Sequence, residues 1–333
     1  MFEQLRQKVL IRFIDLLLIF FIAIERVLSL KGLYKLGILF LLFFSLGRGS
    51  YVESKEASFF NQLYPPYLSL NQIEEQEPLL KDDALVSFPH LQARSFLIVD
   101  LDSNTILHEK DASKRLAPAS TTKLMTALVS REIYSLDETI TVPERCTLVP
   151  GMNLGLIPNE EVNYLDLLHA TLISSSNDAA CTLANAKMPE DRFVFLMNKK
   201  SSNLELNETN FTNPIGFDSP DFAHYSSAYD LYKLALAARG EPLFREIWIK
   251  PDYTLNTGNF QRKIYSTNHL LTQISQTVGV KTGTTNQAGE VFIYEYLDSA
   301  EDENFLFVLM GSNNRFGETR LILNWLEENY IGS

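Results

Sequence analysis

Residues 116–126 read LAPASTTKLMT, and they place a serine three positions ahead of a lysine where an apolar run begins. The apolar residues that follow recur at the spacing of an amphipathic helix. We therefore expect a helix from Ser120 to about Ile133. At that spacing the side chains of Ser120 and Lys123 share one face of the helix.

This Ser–Lys pair has a chemical and a structural interpretation. A serine hydroxyl is a weak nucleophile until a base removes its proton, and a lysine is such a base only where burial or a nearby cation keeps it partly neutral. Backbone N–H groups at a helix start also suit a negatively charged oxygen. In the structural interpretation, Ser120 caps the helix and Lys123 lies on the surface. The pattern is expected about once by chance in such a chain, so other motifs must decide.

Composition excludes some classes of protein. The chain has 333 residues, of which 46% are hydrophobic and 21% are charged, so most of it should be globular. A net charge of −12 argues against a nucleic-acid partner. No spacing of histidines or cysteines suits a metal, and we expect neither a metal nor a cofactor. The sequence does not decide whether Cys146 and Cys181 form a disulfide, but the apolar helical setting of Cys181 favours a buried thiol.

The N-terminus has the features of an export signal. Residues 36–46, LGILFLLFFSL, follow Lys31 and Lys35 and precede GRGS, which is the order of a signal peptide. Residues 1–50 are interpreted as a signal peptide or membrane anchor, and 51–88 as a linker. The apolar stretch before residue 26 is either a second membrane-associated helix or lies ahead of a translation start near Val27 or Leu30.

The remaining chain, residues 89–333, predicts an α+β domain. Alternating apolar runs joined by DSN predict a hairpin over 95–111. A short strand is expected at 138–142, and helices are expected in the segments NYLDLLHATLIS, NDAACTLANAK, DRFVFLMNKKSSNL and SSAYDLYKLALAARG. Strands are expected in TVGVKTG, GEVFIYEYL and NFLFVLMGS, before a last helix in GETRLILNWLEENYI. The terminal helices should cover the sheet.

Two further short motifs carry polar groups that suit a cleft. In ISSSNDAA (173–180), Ser175 could relay a proton and Asn177 could hold a substrate amide, although both residue types are also common helix caps. In GVKTGTT (279–285), Lys281 and Thr282 could bind a carboxylate, and Gly283 would let a substrate backbone approach closely. The structural alternative for the second motif is a strand end with a turn.

The order and spacing of the three motifs carry more information than any one of them. Ser175 lies about 55 residues after Ser120, and Lys281 lies about 105 residues after Ser175. SxxK, then SxN, then KTG resembles the penicillin-binding proteins and serine β-lactamases. The segments RLAPASTTKLMTAL, DLLHATLISSSNDAACTLA and HYSSAYDL resemble the low-molecular-mass D-alanyl-D-alanine carboxypeptidases in particular, over roughly residues 92–330.

The resemblance implies a fold and a mechanism. The fold would be β-lactamase/transpeptidase-like, an antiparallel sheet flanked by helices with a helical subdomain. Ser120 would attack the carbonyl between the two terminal D-alanines of a peptidoglycan stem peptide, with Lys123 as general base. The remaining roles would be proton relay for Ser175, amide orientation for Asn177, substrate binding for Lys281, Thr282, Gly283 and Thr284, and an oxyanion hole from the N–H groups of Ser120 and Thr284.

The resemblance also implies partners and a cellular location. The substrate would be a stem peptide ending in D-Ala-D-Ala, and β-lactams would acylate the same serine. The enzyme would act outside the cytoplasm, attached to the membrane through its N-terminus if that segment is uncleaved. Some relatives have a further C-terminal β-rich domain and anchor, which is not expected in the roughly 50 residues after KTG.

The motifs do not by themselves fix one activity. A β-lactamase shares them but is disfavoured, because Asn203 stands where a deacylating glutamate would precede Leu206 and Asn207. Endopeptidase cleavage of D-Ala crosslinks fits the motifs as well as carboxypeptidase activity does. A catalytically silent domain that only binds peptidoglycan or β-lactams is disfavoured, because all the expected catalytic side chains are present.

Overall fold

The computed structural model describes residues 87–257, 260–298 and 303–330. In this part of the chain the strands are β1 (Ser95–Asp100), β2 (Thr105–Lys110), β3 (Thr139–Thr141), β4 (Glu161–Asn163), β5 (Asp252–Thr257), β6 (Phe260–Tyr265), β7 (Thr277–Thr285), β8 (Gly289–Asp298) and β9 (Glu303–Ser312). The α-helices are α1 (Lys123–Ile133), α2 (Glu144–Thr147), α3 (Tyr164–Leu172), α4 (Asn177–Asn185), α5 (Glu190–Asn203), α6 (Ala228–Arg239), α7 (Pro242–Trp248) and α8 (Arg315–Asn329).

A five-stranded antiparallel sheet organises the fold, with its strands in the order β2-β1-β9-β8-β7. The hairpin expected over 95–111 is confirmed as β1 and β2, and Asn104 in its turn has a φ of 55°. The expected C-terminal strands are β7, β8 and β9. β7 forms an edge of the sheet, which leaves its outer side for the segment that carries Ser120.

Two hydrophobic layers cover the two faces of this sheet. Because side chains alternate along a strand, Phe96 and Ile98 of β1 pack with one layer, and Leu97 and Val99 pack with the other. The first layer is closed by α8, through residues such as Leu326. The second layer contains the buried side chains of the other helices. A sheet between a C-terminal helix and a helical subdomain confirms the predicted α+β, β-lactamase/transpeptidase-like class.

Helix α1 lies at the centre of the helical subdomain, and its residues 123–130 are all buried. The helix begins slightly later than the sequence predicts. Residues Ala119–Thr122 form a 3₁₀ helix instead, because the N–H and hydroxyl of Thr121 both bond to the carbonyl of Pro118. Ser120 therefore lies in a tight turn that leads into α1.

Two small two-stranded sheets lie outside the main sheet. The strand expected at 138–142 is β3, which pairs with β4. The β5–β6 hairpin was not predicted. Arg262 of β6 connects this hairpin to the segment before β4, since its guanidinium bonds to the Glu160 carboxylate at 2.6 Å. The hairpin is thus connected to the region that leads into the helical subdomain.

The expectation of a buried thiol at Cys181 was wrong, because Cys146 and Cys181 form a disulfide. Both residues are buried, as an apolar setting predicts. Their Cα atoms lie 5.4 Å apart although 35 positions separate them in sequence. The two cysteines lie close together because α2 packs on α4. The helical pattern around Cys181 carries no information about that packing.

The N-terminal predictions lie almost entirely outside the described residues. The signal peptide or anchor (1–50) and residues 51–86 of the linker belong to that part of the chain. Phe88, at the end of the predicted linker, packs against the rings of Phe96, His108 and Trp325. Within the described ranges, no helix is both long and apolar enough to cross a membrane.

Candidate active site

The Ser120 hydroxyl lies within hydrogen-bond distance of a buried lysine amine. Lys123 Nζ donates to Ser120 Oγ at 2.9 Å and to the carbonyl of Ile215 at 2.7 Å. The capping interpretation is wrong, because Thr122 is the residue at the cap position of α1 and no side chain bonds there. Ala119 has a φ of 49°, in the left-handed region that alanine rarely adopts. Such local strain is often found beside functional groups.

Burial changes the protonation of Lys123. The residue is 0% exposed. Its pKa lies well below the ordinary value, first because burial disfavours the charged form and second because Lys281 places another positive charge nearby. The lowered pKa favours the neutral form of the amine. It can then accept the proton of the Ser120 hydroxyl, as the sequence interpretation requires.

Ser175 lies between α3 and α4, and Asn177 is the first residue of α4. Ser175 has a φ of 61°, and its buried Oγ has no hydrogen-bond partner among the described residues. Asn177 is held by the loop opposite: its Nδ2 donates to the carbonyl of Pro150 and its backbone N–H to the carbonyl of Met152, both at 2.7 Å. An unpaired buried hydroxyl is costly for folding, which points to a partner supplied by a ligand.

Lys281 and Thr282 lie on β7 at the edge of the sheet. Lys281 is 1% exposed, and its Nζ donates to the carbonyl of Thr282 at 3.0 Å. Burial lowers the pKa of Lys281 to about 7, and the charge of Arg315 adds to the effect. The Thr282 hydroxyl lies 2.6 Å from the hydroxyl of Thr267.

Two glycines allow the surrounding segments to approach the turn that contains Ser120. A Cβ built on Gly283 would lie 2.7 Å from the backbone nitrogen of Ser120. One built on Gly216, whose φ is +85°, would lie 2.0 Å from the carbonyl oxygen of Ala119. No side chain larger than hydrogen fits at either position without displacement. Because these two residues are glycines, β7 and the 213–217 segment can contact the turn that contains Ser120 directly.

These segments enclose a cleft of about 200 Å³. It brings together six of the residues predicted from sequence, which are Ser120, Ser175, Asn177, Thr282, Gly283 and Thr284. Lys123 and Lys281 do not line the cleft and are buried. The residues that sequence reasoning missed are Gly151, Met152, Ile215, Gly216, Phe217, Thr267, Thr285 and Arg315. Most of them lie on loops that carry no short motif.

Arg315 adds a second cation to the cleft, beside Lys281. It begins α8, and its guanidinium donates to the carbonyls of Gly283 at 2.6 Å and Val291 at 3.2 Å. The Glu290 carboxylate lies 3.7 Å from its Nε. A single arginine more than 30 residues after KTG gives no sequence signal, so only the packing of α8 on the sheet identifies it.

Fold and cleft together define a serine acyl-transfer enzyme of the penicillin-binding type, with a serine, a buried lysine amine beside it and a strand that carries a second buried lysine. A family model described as D-alanyl-D-alanine carboxypeptidase matches residues 82–314. The chain therefore belongs to the D-alanyl-D-alanine carboxypeptidase family. This confirms the predicted enzyme class, a serine-type D-Ala-D-Ala carboxypeptidase, and with it the family predicted from the motifs.

Individual relatives agree with this assignment. The chain is 32% identical over 208 residues to D-alanyl-D-alanine carboxypeptidase DacB2 of Mycobacterium tuberculosis, covering 62% of this chain and 72% of the relative. It is 29% identical to a D-alanyl-D-alanine endopeptidase of Escherichia coli, covering 72% of this chain and 79% of the relative. Other relatives are longer, and the match spans 52% of one from Bacillus subtilis.

The fold is also similar to solved structures. A D-alanyl-D-alanine carboxypeptidase from Mycobacterium tuberculosis H37Rv superposes with a TM-score of 0.68 at 28% identity. The superposition covers 75% of this chain and 98% of the solved chain. The superposed part of this chain therefore corresponds to nearly the whole of that solved chain.

Proposed function

We propose that this protein removes the terminal D-alanine from peptidoglycan stem peptides through an acyl-enzyme on Ser120. The observation that carries the proposal is the 2.9 Å contact between Ser120 Oγ and the amine of Lys123, a buried lysine whose pKa is lowered. A neutral amine in this position removes the hydroxyl proton as the oxygen attacks the substrate carbonyl. The amide bond between the two terminal D-alanines is the one that breaks.

Ser175 relays the proton to the leaving D-alanine nitrogen. Its hydroxyl lines the cleft and has no partner in the described part of the chain, so it is available to a substrate nitrogen. Asn177 orients the substrate amide. Its Nδ2 is engaged by Pro150, and no described residue donates to its Oδ1 atom, which can accept a substrate N–H.

The terminal carboxylate of the substrate binds at the KTG strand. The Thr282 hydroxyl lines the cleft, and Lys281 and Arg315 supply positive charge to this part of an otherwise acidic protein. Charge-assisted hydrogen bonds of this kind are stronger than neutral ones. We expect the carboxylate to lie between Thr282 and Arg315, with Lys281 buried behind it.

The oxyanion hole is formed by the backbone N–H groups of Ser120 and Thr284. The close approach that Gly283 permits supports this, because it brings β7 against the backbone nitrogen of Ser120. Fixed donors at this position stabilise the negative oxygen of the tetrahedral intermediate.

In the second step a water molecule takes the place of the departed D-alanine and attacks the acyl carbonyl. The ester bond to Ser120 breaks, the peptide leaves as a carboxylic acid, and the proton given up by the water returns to Ser120 Oγ. No carboxylate is found among the described residues that line the cleft, and Asn203, Glu205 and Glu208 are not part of its lining. A β-lactamase of the kind that deacylates with a glutamate therefore lacks its base here. β-Lactams are expected to acylate Ser120 and to remain bound. The similarity to an endopeptidase favours cleavage of D-Ala crosslinks as a second activity.

The enzyme acts outside the cytoplasm, where peptidoglycan is found. The disulfide between Cys146 and Cys181 supports this location, because disulfides persist in oxidising compartments and are rare in the cytosol. The N-terminal segment 36–46 would direct export, either as a cleaved signal or as a retained membrane anchor.

A time course of labelling with a fluorescent penicillin tests the proposal. The full chain in detergent is compared with Ser120→Ala, and intact mass is followed over time. A stable adduct that the variant lacks supports a penicillin-binding peptidase, and release of D-alanine from a peptide ending in D-Ala-D-Ala completes the assignment. Rapid loss of the adduct indicates a β-lactamase, and a folded protein without any adduct indicates a silent binding domain.

A further inference from the structure

One wall of the cleft is a loop that has little core of its own. Residues 148–157, here called the wall loop, contribute Gly151 and Met152 to the cleft. Leu156 is buried, but most of the loop is exposed to solvent. Apart from packing by Val149, Leu154 and Leu156, its conformation depends on the polar and covalent groups that anchor it.

The wall loop fixes the amide of Asn177. The carbonyl of Pro150 accepts from Nδ2, and the carbonyl of Met152 accepts from the backbone N–H. A Cβ on Gly151, whose φ is +91°, would lie 2.6 Å from Nδ2, so the loop backbone is in close contact with the side chain. The orientation of the amide is thus set by the position of residues 150–152.

The C-terminal half of the wall loop has an anchor on α4. The Asp178 carboxylate accepts from the N–H groups of Leu154, Gly155 and Leu156 at 2.9–3.1 Å. Arg262 also donates to the carbonyl of Gly155 at 3.1 Å. The Asn153 side chain bridges the two halves, since its Nδ2 donates to the carbonyl of Val149 and its Oδ1 accepts from the N–H of Asp178. Apart from this bridge, the half that contains Pro150 is held by other groups.

The N-terminal half begins two residues after Cys146, which is bonded to Cys181 on α4. Cys181 follows Asn177 by four positions, so both lie on one face of that helix. The helix α2, which carries Cys146, is only four residues long and has no side-chain cap. The disulfide is thus the covalent connection between the start of the wall loop and the helix that carries Asn177.

The disulfide also contacts the opposite wall. It lies in a small apolar cluster with Ile215 and Phe217. The carbonyl of Ile215 accepts from Lys123, and Phe217 lines the cleft. One buried bond therefore connects the wall loop, α4 and the segment next to the proposed base.

From this geometry we infer that Cys146 and Cys181 are positioning residues, whose disulfide holds Pro150 where it orients the Asn177 amide toward the acylamino group of a substrate. The inference rests on the role proposed above for Asn177. Opening the bond lets the N-terminal half of the wall loop move, and the amide then loses its fixed orientation. We expect Ser120 and Lys123 to remain in place, because Gly283 and Gly216 pack against the turn that contains Ser120 and Lys123 lies on the buried helix α1.

The test compares acylation by two penicillins that differ in one group. Benzylpenicillin carries an acylamino side chain, whereas 6-aminopenicillanic acid has the same nucleus with a free amine. The full chain is measured as purified, as Cys146→Ala/Cys181→Ala, and as Asn177→Ala. We expect the double variant to lower the preference for benzylpenicillin roughly five- to tenfold, the loss of about one hydrogen bond, and Asn177→Ala to lower it similarly.

Reduction of the native chain provides a second route if the double variant folds poorly. Dithiothreitol transfers two electrons and two protons to the disulfide, giving two thiols, and is itself oxidised to a cyclic disulfide. The reductant is removed under anaerobic conditions before the assay. The chain has 2 cysteines, so no other pair responds. The double variant, treated in the same way, should show no further change.

Three results would overturn the inference. An unchanged preference in the double variant and the reduced chain, with a lower preference in Asn177→Ala, would show that the disulfide does not orient the amide. An equal loss of acylation rate for both penicillins would show that the disulfide supports only the fold. An unchanged preference in Asn177→Ala would remove the basis of the inference by refuting the role of Asn177, while labelling of Ser120 would still support the proposed enzyme.

Discussion

At the scale of single residues, the proposed chemistry depends on two lysines buried beside the cleft. Lys123 and Lys281 are each almost completely shielded from water, and the charge of Lys281 disfavours a charge on Lys123. The pKa of Lys123 is lowered well below its ordinary value, and that of Lys281 is lowered to about 7. The lowered pKa of Lys123 favours the neutral amine that a base requires. With a pKa of about 7, Lys281 carries a positive charge at lower pH.

Replacement of Lys123 should abolish efficient acylation. Among the described residues only Lys123 bonds to Ser120 Oγ, so we expect the rate of acylation by penicillin to fall about a thousandfold in Lys123→Ala. Lys123→Arg is the matched control, because an arginine is a long basic side chain of similar reach that cannot give up its proton and so cannot act as a base. Rates of acylation are measured beside circular dichroism spectra. Near-normal acylation in a folded Lys123→Arg would rule out the base role.

The affinity for anionic substrates should fall as the pH rises through about 7. Lys281 is charged below its pKa of about 7 and neutral above it, so attraction of the substrate carboxylate is present on the acid side and lost on the alkaline side. We expect kcat/KM to show an alkaline limb that moves to higher pH in Lys281→Arg, since arginine stays charged. An identical alkaline limb in that variant would assign the titration to another group.

At the scale of elements, the contact between β7 and the turn that contains Ser120 depends on Gly283. In Gly283→Ala the added Cβ would meet the Ser120 nitrogen at 2.7 Å and must displace it. We expect acylation to fall roughly a hundredfold, the usual cost of losing one oxyanion donor, and stability to fall by about 1–3 kcal/mol. The measurements are acylation rates and urea unfolding.

A glycine outside the cleft separates loss of stability from loss of catalysis. Gly289 begins β8 and has a φ of +68°, and a Cβ there would lie 3.2 Å from the carbonyl oxygen of Ser312. Gly289→Ala should therefore be destabilised as well, with acylation within about twofold of the native rate. Equal losses of acylation in the two variants would refute the specific role of Gly283.

The ion pair between Glu160 and Arg262 should stabilise the connection between the β5–β6 hairpin and the helical subdomain. Both side chains are mostly buried, at 5% and 14% exposure. Burial raises the pKa of Glu160, but hydrogen bonds from Arg262 and Thr257 outweigh this and hold it below the ordinary value of 4.5. The pair therefore contributes stability above about pH 4.5, and this contribution is lost as the pH falls through the lower folded value.

We expect Glu160→Gln to lower the free energy of unfolding by about 3 kcal/mol at pH 7, because Arg262 is left without its buried partner. The difference from the native protein should shrink below pH 4.5, where native Glu160 also becomes protonated. Thermal unfolding across this pH range provides the measurement. The double variant Glu160→Gln/Arg262→Met completes a cycle, and a coupling near zero would show that the two side chains act independently.

At the scale of the whole molecule, the disulfide and the N-terminal sequence make one joint prediction. A chain exported from its native host should carry the Cys146–Cys181 bond, and its mass should increase by two hydrogens on reduction. Intact mass and N-terminal sequencing of the isolated protein check both. Recovery of the protein from the cytosol with two free thiols would contradict the extracytoplasmic location.

Much of the architecture could be predicted from local patterns. The β1–β2 hairpin, the C-terminal strands and the long helices follow from periodicity, because each element has one side that must be buried. The β5–β6 hairpin was missed, since half of its residues are exposed and its apolar alternation is weak. The order β2-β1-β9-β8-β7 pairs β1 with β9, more than two hundred positions away in sequence, and no local pattern contains that pairing.

The sequence by itself determined the family, the three motifs and the side chains predicted to react, because these depend on residue type, order and spacing. Tertiary structure alone decided the protonation of Lys123 and Lys281, the entry of Arg315 into the cleft and the pairing of Cys146 with Cys181. The physical reason is the same in each case. Burial, the proximity of charges and the approach of two sulfur atoms are properties of segments far apart in the chain, and they exist only once those segments are packed together.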